Sequence, residues 1–286
     1  MRALLASLIF LATPVAFAQY GVQTIRDVPY TSASGFTQVL DLYLPTPTAS
    51  HSRPGVMLVH GGGWAAGNKS DFEGWGQYYA AKGFVCAAVS YRFAPQHVWP
   101  AQIDDVQASV RWMRKNAQFL GLNPRKIGAV GMSAGGHLVE FLSLTDTLND
   151  FDPLLWGYSS RVALAVNFVG PCEFSDPNEW SPAIWPLVTQ MVGQPWSPFA
   201  MKYRYASPIN YIDSADSPIL HFYGVQDDTV PISQGRRMAA RLNSKGVLNW
   251  YFEFPNEGHG FSGETFSFCV DQTTAKFKSV LQSQGP

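Results

Sequence analysis

Between residues 39 and 254 the chain alternates short apolar runs with segments of helical spacing, and this alternation leaves few folds open to it. Residues 39–44, 55–59, 84–91, 127–130, 161–169, 218–223 and 250–254 read as strands. Residues 72–82, 100–120, 134–144, 233–244 and 266–284 read as helices. In the second helix Ile103, Val106, Val110 and Met113 recur at helical spacing, and Gly121 and Pro124 end it. Strands alternating with helices imply an α/β fold, a mostly parallel sheet covered by helices on both faces. Such sheets carry their sites at the carboxyl ends of the strands.

Composition closes several other routes. With 46% hydrophobic and 14% charged residues the chain can bury a sizeable core, which excludes intrinsic disorder. Twenty basic against 21 acidic residues leave no basic surface for nucleic acid or an anionic membrane. Three cysteines are too few for a disulfide scaffold and too scattered for a zinc knuckle. Cys86 sits in the apolar run Val85-Cys86-Ala87-Ala88-Val89 and reads as a core thiol, while Cys172 and Cys269 could pair in an oxidising compartment. That pairing stays open.

Residues 1–18 read as an export signal: Arg2, an apolar run over residues 3–12, Pro14, then Ala16-Phe17-Ala18 as the cleavage site. The run is too short to span a membrane. The expected mature chain is therefore residues 19–286, secreted or periplasmic, without stable membrane insertion. Residues 175–205 interrupt the alternation with Pro177, Trp180, Pro182, Trp185, Pro186, Pro195, Trp196 and Pro198. So long a segment without evident strands or helices is expected to be a small lid over the site. Trp180, Trp185 and Trp196 can pack the lid or offer a platform to a sugar or aromatic acyl group; both readings stay open.

The chemistry concentrates at three strand ends. Gly131-Met132-Ser133-Ala134-Gly135 fits G-x-S-x-G directly after a strand and before a helix, the context that makes the motif a nucleophile turn. His60-Gly61-Gly62-Gly63-Trp64 follows the strand at 55–59, and its glycines let backbone N–H groups approach a ligand. With the N–H of Ala134 they would form an oxyanion hole. A phosphate cradle is excluded, because Asn68 intervenes between Gly67 and Lys69-Ser70. A serine nucleophile needs a base and an orienting carboxylate. His259, in Gly258-His259-Gly260-Phe261 after the last strand, is the candidate base. His60 reads as structural and His137, one helical turn after Ser133, as a packing residue, while His51, His97 and His221 lie in turns or a strand without such a position. Asp227 is the candidate acid, with Asp228 the alternative in the same loop. Asp104 and Asp105, adjacent in a helix without an acid–base partner, read as helix-end or salt-bridge residues.

The order Ser133, Asp227, His259 and the His60-Gly61-Gly62-Gly63-Trp64 motif resemble the α/β-hydrolase superfamily. Within it the chain is similar to hormone-sensitive-lipase-like carboxylesterases and to bacterial feruloyl and acetyl-xylan esterases. The resemblance runs from Leu40-Asp41-Leu42-Tyr43 through Tyr91-Arg92-Phe93-Ala94-Pro95 and Ala206-Ser207-Pro208-Ile209 to Gly258-His259-Gly260-Phe261. It implies an α/β-hydrolase fold with Ser133 as nucleophile, His259 as base and Asp227 as orienting acid. It also implies oxyanion N–H groups from Gly62, Gly63 and Ala134, with Trp64 replacing Gly62 in some branches. The motif Gly-x-x-Asp-x-x-Val-Pro, at Gly224 to Pro231, looks like the feruloyl-esterase and peptidase side. No metal or organic cofactor is implied. The expected substrate is a small ester or an acetyl or feruloyl group on plant cell-wall polysaccharide. The alternatives are a prolyl-oligopeptidase-like serine peptidase, an arylformamidase and an inactive hydrolase fold used for binding.

Overall fold

The computed structural model describes residues 20–33, 35–47, 52–149 and 151–282; the export signal read over residues 1–18, like His51, lies outside them. Among the described residues one sheet holds β1 (Gly21–Thr31), β2 (Gln38–Thr46), β3 (Arg53–Val59), β4 (Val85–Val89), β5 (Leu122–Met132), β6 (Leu164–Phe168), β7 (Ile219–Gly224) and β8 (Asn249–Phe254). Their order across the sheet is β1-β2-β4-β3-β5-β6-β7-β8. β2 runs antiparallel to both β1 and β4, and the remaining neighbours are parallel. Every residue of β3 is buried, as a central strand covered on both faces requires.

Side chains alternate between two cores. Met57 and Val59 of β3 face the core shared with helices α2 (Ala101–Lys115), α4 (Ala134–Leu144) and α7 (Ile232–Lys245). Val56 and Leu58 face the other, shared with α1 (Glu73–Ala81) and α8 (Gly263–Leu281). The same alternation decides the cysteines. Cys172 belongs to the first core and Cys269 to the second, so the sheet stands between them. All three cysteines are buried free thiols, and the open pairing of Cys172 with Cys269 is not made.

Three elements differ from the sequence reading. β1 is an added edge strand whose residues are mostly exposed, so it carries little apolar alternation, and its register shifts twice between Ile25 and Thr31. The helix read over 100–120 breaks at Asn116 into α2 and α3 (Ala117–Leu120), with Asn116 at φ −95° and ψ 14°. Residues 175–205 are not structureless: they hold a 3-10 turn at Pro177–Glu179, α5 (Trp185–Val192) and α6 (Met201–Tyr205).

The topology sets where a site can form. The chain steps from β3 to β4 on one side, then crosses to β5 on the other side of β3. The carboxyl ends of β3 and β5 therefore lie side by side, with Val59 paired to Gly131. The segments leaving them must diverge, which opens a crevice there.

Candidate active site

Ser133 stands between β5 and α4 with φ 55° and ψ −120°, a conformation that non-glycine residues rarely adopt. Its neighbours make the turn feasible. A side chain on Gly131 would overlap the carbonyl of Gly135, and one on Gly135 the carbonyl of Val59. The Ser133 N–H donates to the Phe168 carbonyl at the end of β6 (2.8 Å), and its own carbonyl accepts the first N–H bond of α4, from His137 (3.0 Å). The backbone is thus held at both sides, and the hydroxyl is the part left to project.

The structure brings the three residues picked from separate loops into one hydrogen-bonded chain. Ser133 Oγ lies 2.9 Å from His259 Nε2, and His259 Nδ1 lies 2.8 Å from Asp227 Oδ2. A carboxylate only accepts, so Nδ1 carries the proton and Nε2 is free to take one from the serine. The Asp227 carboxylate is buried, and its Oδ1 accepts the N–H groups of Thr229 and Val230 at 2.8 Å each. Asp228 is exposed and among the described residues bonds only its neighbour Thr229. Of the two aspartates, Asp227 is the one that meets the imidazole. The His259 side chain keeps about a quarter of its surface open to solvent, at 27%.

The glycine loop arches against the same serine. A Cβ on Gly61 would stand 3.3 Å from that of Ser133. Gly62, at φ 109°, passes so close to Ala66 that any side chain would overlap its carbonyl, and Gly63 and Trp64 also have positive φ. Ala65 and Ala66 both donate to the Gly62 carbonyl, closing the loop on itself. The N–H groups of Gly62, Gly63 and Trp64 find no backbone acceptor among the described residues, and Ala134, first in α4, lies ahead of the intrahelical ladder. His60 anchors the loop: its ring stacks on Tyr91 with centroids 4.4 Å apart, and its Nδ1 lies 2.7 Å from the Gly61 carbonyl. Burial lowers its pKa, in keeping with a neutral structural ring.

The insertion packs on this loop. Leu187 of α5 is the nearest atom group to Gly63, 2.9 Å from where a Cβ would sit. Trp180 is buried against Phe174, Trp185 is half-buried and stacks on Tyr203, and half-buried Trp196 lines a cavity of about 310 Å³ with Glu173, Ser175, Arg204 and Asn210. The insertion is clasped to α7 through Glu179, which receives Arg237, Ser233 and Gln234.

Two buried groups go beyond the sequence reading. His137 takes the indole N–H of Trp64 on Nδ1 (3.1 Å) and bonds the Ala206 carbonyl through Nε2 (2.7 Å). Its place one helical turn after Ser133 was legible, and it packs as read; its two hydrogen bonds were not legible. Glu140, Asn167 and Tyr223 form a buried polar cluster in which Asn167 Nδ2 donates to Glu140, and His221 lies 3.7 Å away. No local pattern marks it. Asp105 is a salt-bridge residue, bound by Arg92 at 2.8 Å, and Asp104, whose burial raises its pKa to about 6, accepts from Asn149. Among the described residues no group of three or more His, Cys, Asp or Glu is placed to hold a metal, and no helix is long and apolar enough to cross a membrane.

Comparison with known proteins places this geometry. Residues 40–242 match the family model described as BD-FAE, a span that includes the glycine loop, Ser133 and Asp227 and stops before His259. Two curated relatives from Mycobacterium tuberculosis are a probable carboxylic ester hydrolase, LipM, and the esterase LipC. LipM is 32% identical over 73% of this chain and 49% of its own length; LipC is 30% identical over 78% and 57%. The chain thus spans about half the length of these relatives. A solved structure titled as a truncated carbohydrate esterase from gut microbiota superposes with a TM-score of 0.75 at 25% identity, covering 92% of this chain and 99% of that one. With the family match running across most of the sheet and the strand order and strained serine turn in place, the chain belongs to the BD-FAE family and has the α/β-hydrolase fold.

Proposed function

We propose that the protein is a serine carboxylic ester hydrolase acting through an acyl-enzyme. The observation that carries this is the continuous chain from Ser133 Oγ through His259 to the buried Asp227 carboxylate. His259 Nε2 takes the Ser133 proton as Oγ bonds to the acyl carbon, and the carbonyl electrons move onto oxygen. The N–H groups of Gly63 and Ala134, with that of Gly62 or Trp64, stabilise this oxyanion. As the intermediate collapses, His259 returns the proton to the departing alkoxide, and the alcohol leaves. Water then attacks the acyl-enzyme with His259 again as base, and the acid is released.

The finer reading is an exported enzyme removing short-acyl or hydroxycinnamoyl groups, acetyl or feruloyl, from plant cell-wall polysaccharide. It is supported by the export-type residues 1–18, by the aromatic insertion beside the glycine loop and by the likeness to a carbohydrate esterase. The test assays wild type and Ser133→Ala on p-nitrophenyl esters of rising chain length, methyl ferulate, acetylated xylan and a peptide amide. Expected is turnover of short esters, acetylated xylan and methyl ferulate, with a loss of at least about 10⁴-fold in the variant. Full activity of Ser133→Ala would overturn the mechanism. Cleavage of the peptide alone would overturn the ester reading, and turnover confined to p-nitrophenyl esters would overturn the polysaccharide reading.

A further inference from the structure

We propose that His137 is a positioning residue that ties the end of the aromatic insertion to the oxyanion loop, through one neutral ring bonded at both nitrogens; this rests on the esterase reading above.

The protonation state follows from the partners. An indole N–H can only donate, so His137 Nδ1, 3.1 Å from Trp64 Nε1, is an acceptor without a proton. A carbonyl can only accept, so Nε2, 2.7 Å from the Ala206 oxygen, carries the proton. A second proton would turn two donors against each other at Trp64. The surroundings agree: the ring is fully buried, with Trp64, Trp99, Phe141 and Phe174 at centroid distances of 5.3 to 5.4 Å. Burial pulls its pKa down to about 4.

The partners also define the role. Trp64 holds φ at 60°, a conformation a bulky side chain keeps only where its surroundings over-determine it. The indole bond to His137, with the edge-on rings of His137 and Phe174, supplies that restraint. The Gly63–Trp64 segment carries N–H groups assigned to the oxyanion, so fixing the indole fixes the donors. Ala206 closes residues 175–205, whose helix α5 lies against Gly63 through Leu187. One ring on α4 therefore registers the insertion and the loop against each other, and Ser133 sits one turn away at the N-cap of that helix. Donors that act on the oxyanion act mainly in the transition state, so disturbing them lowers kcat more than it raises KM.

The two bonds can be removed separately. An Asn side chain places its Oδ1 near the position of Nδ1, so His137→Asn keeps the acceptor for Trp64 and gives up Ala206. His137→Gln places an N–H near the position of Nε2, which keeps Ala206 and gives up Trp64. Trp64→Phe keeps a ring and deletes the donor. All are measured on p-nitrophenyl acetate, with concentrations set by titration of the reactive serine and with Ser133→Ala alongside. Expected is a fall in kcat of about 10- to 100-fold for His137→Gln and for Trp64→Phe, with KM within about threefold. The double variant should be no worse than either single one. His137→Asn should lose less kcat than His137→Gln but free the insertion, read as several-fold faster proteolysis within residues 175–205; unchanged cleavage there would overturn the tie to Ala206. An equal loss in His137→Asn and His137→Gln would show a merely structural ring and overturn the proposal, as would wild-type kcat in Trp64→Phe. Activity in Ser133→Ala would instead overturn the esterase reading itself.

Discussion

Gly135 crosses Val59 so closely that a Cβ on the glycine would overlap the Val59 carbonyl oxygen and stand 2.6 Å from that of His60. The helix after the Ser133 turn is thereby seated directly on the strand that launches the glycine loop. Both atoms in the way are backbone, so neither can rotate aside.

Gly135→Ala is therefore expected to cost more than about 3 kcal/mol and to reduce the yield of folded protein. Gly260, beside His259, has nothing within 4 Å of a Cβ, and Gly260→Ala should alter stability by less than about 0.5 kcal/mol. Thermal unfolding of the two variants checks this. Equal Tm values would remove the steric account of the motif's last glycine.

Asp227 and Asp228 separate in the same assay. Asp227→Asn would offer an N–H where His259 needs an acceptor, favouring the wrong tautomer, and kcat should fall about 10³- to 10⁴-fold. Asp228→Asn alters an exposed side chain that does not reach the imidazole, and its kcat should stay near wild type. A large loss in Asp228→Asn alone would reverse the assignment.

Glu140 is fully buried, and desolvation raises its pKa well above the ordinary 4.5. The folded chain keeps this proton where the unfolded chain releases it. Stability from the group is thus complete below about pH 4.5 and is lost as pH rises towards the folded value. Glu140→Gln, which keeps an oxygen for Asn167 and does not titrate, should gain stability over wild type between pH 5 and 8. The gain should grow by up to about 1.4 kcal/mol per pH unit. A difference in Tm that is constant with pH would rule out the buried neutral carboxyl.

Arg237 reaches Glu179 of the insertion and Glu173 beside it, with its own side chain 35% exposed. Solvent screens such a pair, so Arg237→Met should cost about 1 kcal/mol or less in global stability. Its effect is expected locally: proteolysis within residues 175–205 should speed several-fold in the variant, and salt should speed it in wild type. Unchanged cleavage would mean that apolar packing, not the clasp, holds the insertion.

Much of the sheet was legible because a central parallel strand must be apolar on both faces. The strand at 55–59 and the helix at 134–144 recur as β3 and α4. β1 was not, since its residues are mostly exposed and its pairing slips. Nor were α5 and α6, whose Pro-rich surroundings hide helices stabilised by tertiary packing, Leu187 against Gly63 among the contacts.

The sequence by itself determined the parts of the site that are local: a glycine-flanked serine after a strand, a glycine run after another, an acid and a histidine in loops after two more. Each is encoded within a few residues, because steric clearance and loop position are local demands. Tertiary structure alone decided what spans the chain. It set Ser133 against His259 across 126 positions and His259 against Asp227 across 32. It also kept Cys172 and Cys269 on opposite faces of the sheet and turned His137 from apparent packing into a two-sided hydrogen-bonded ring. Such contacts depend on strand register and on which face each side chain takes, and no single segment carries that information.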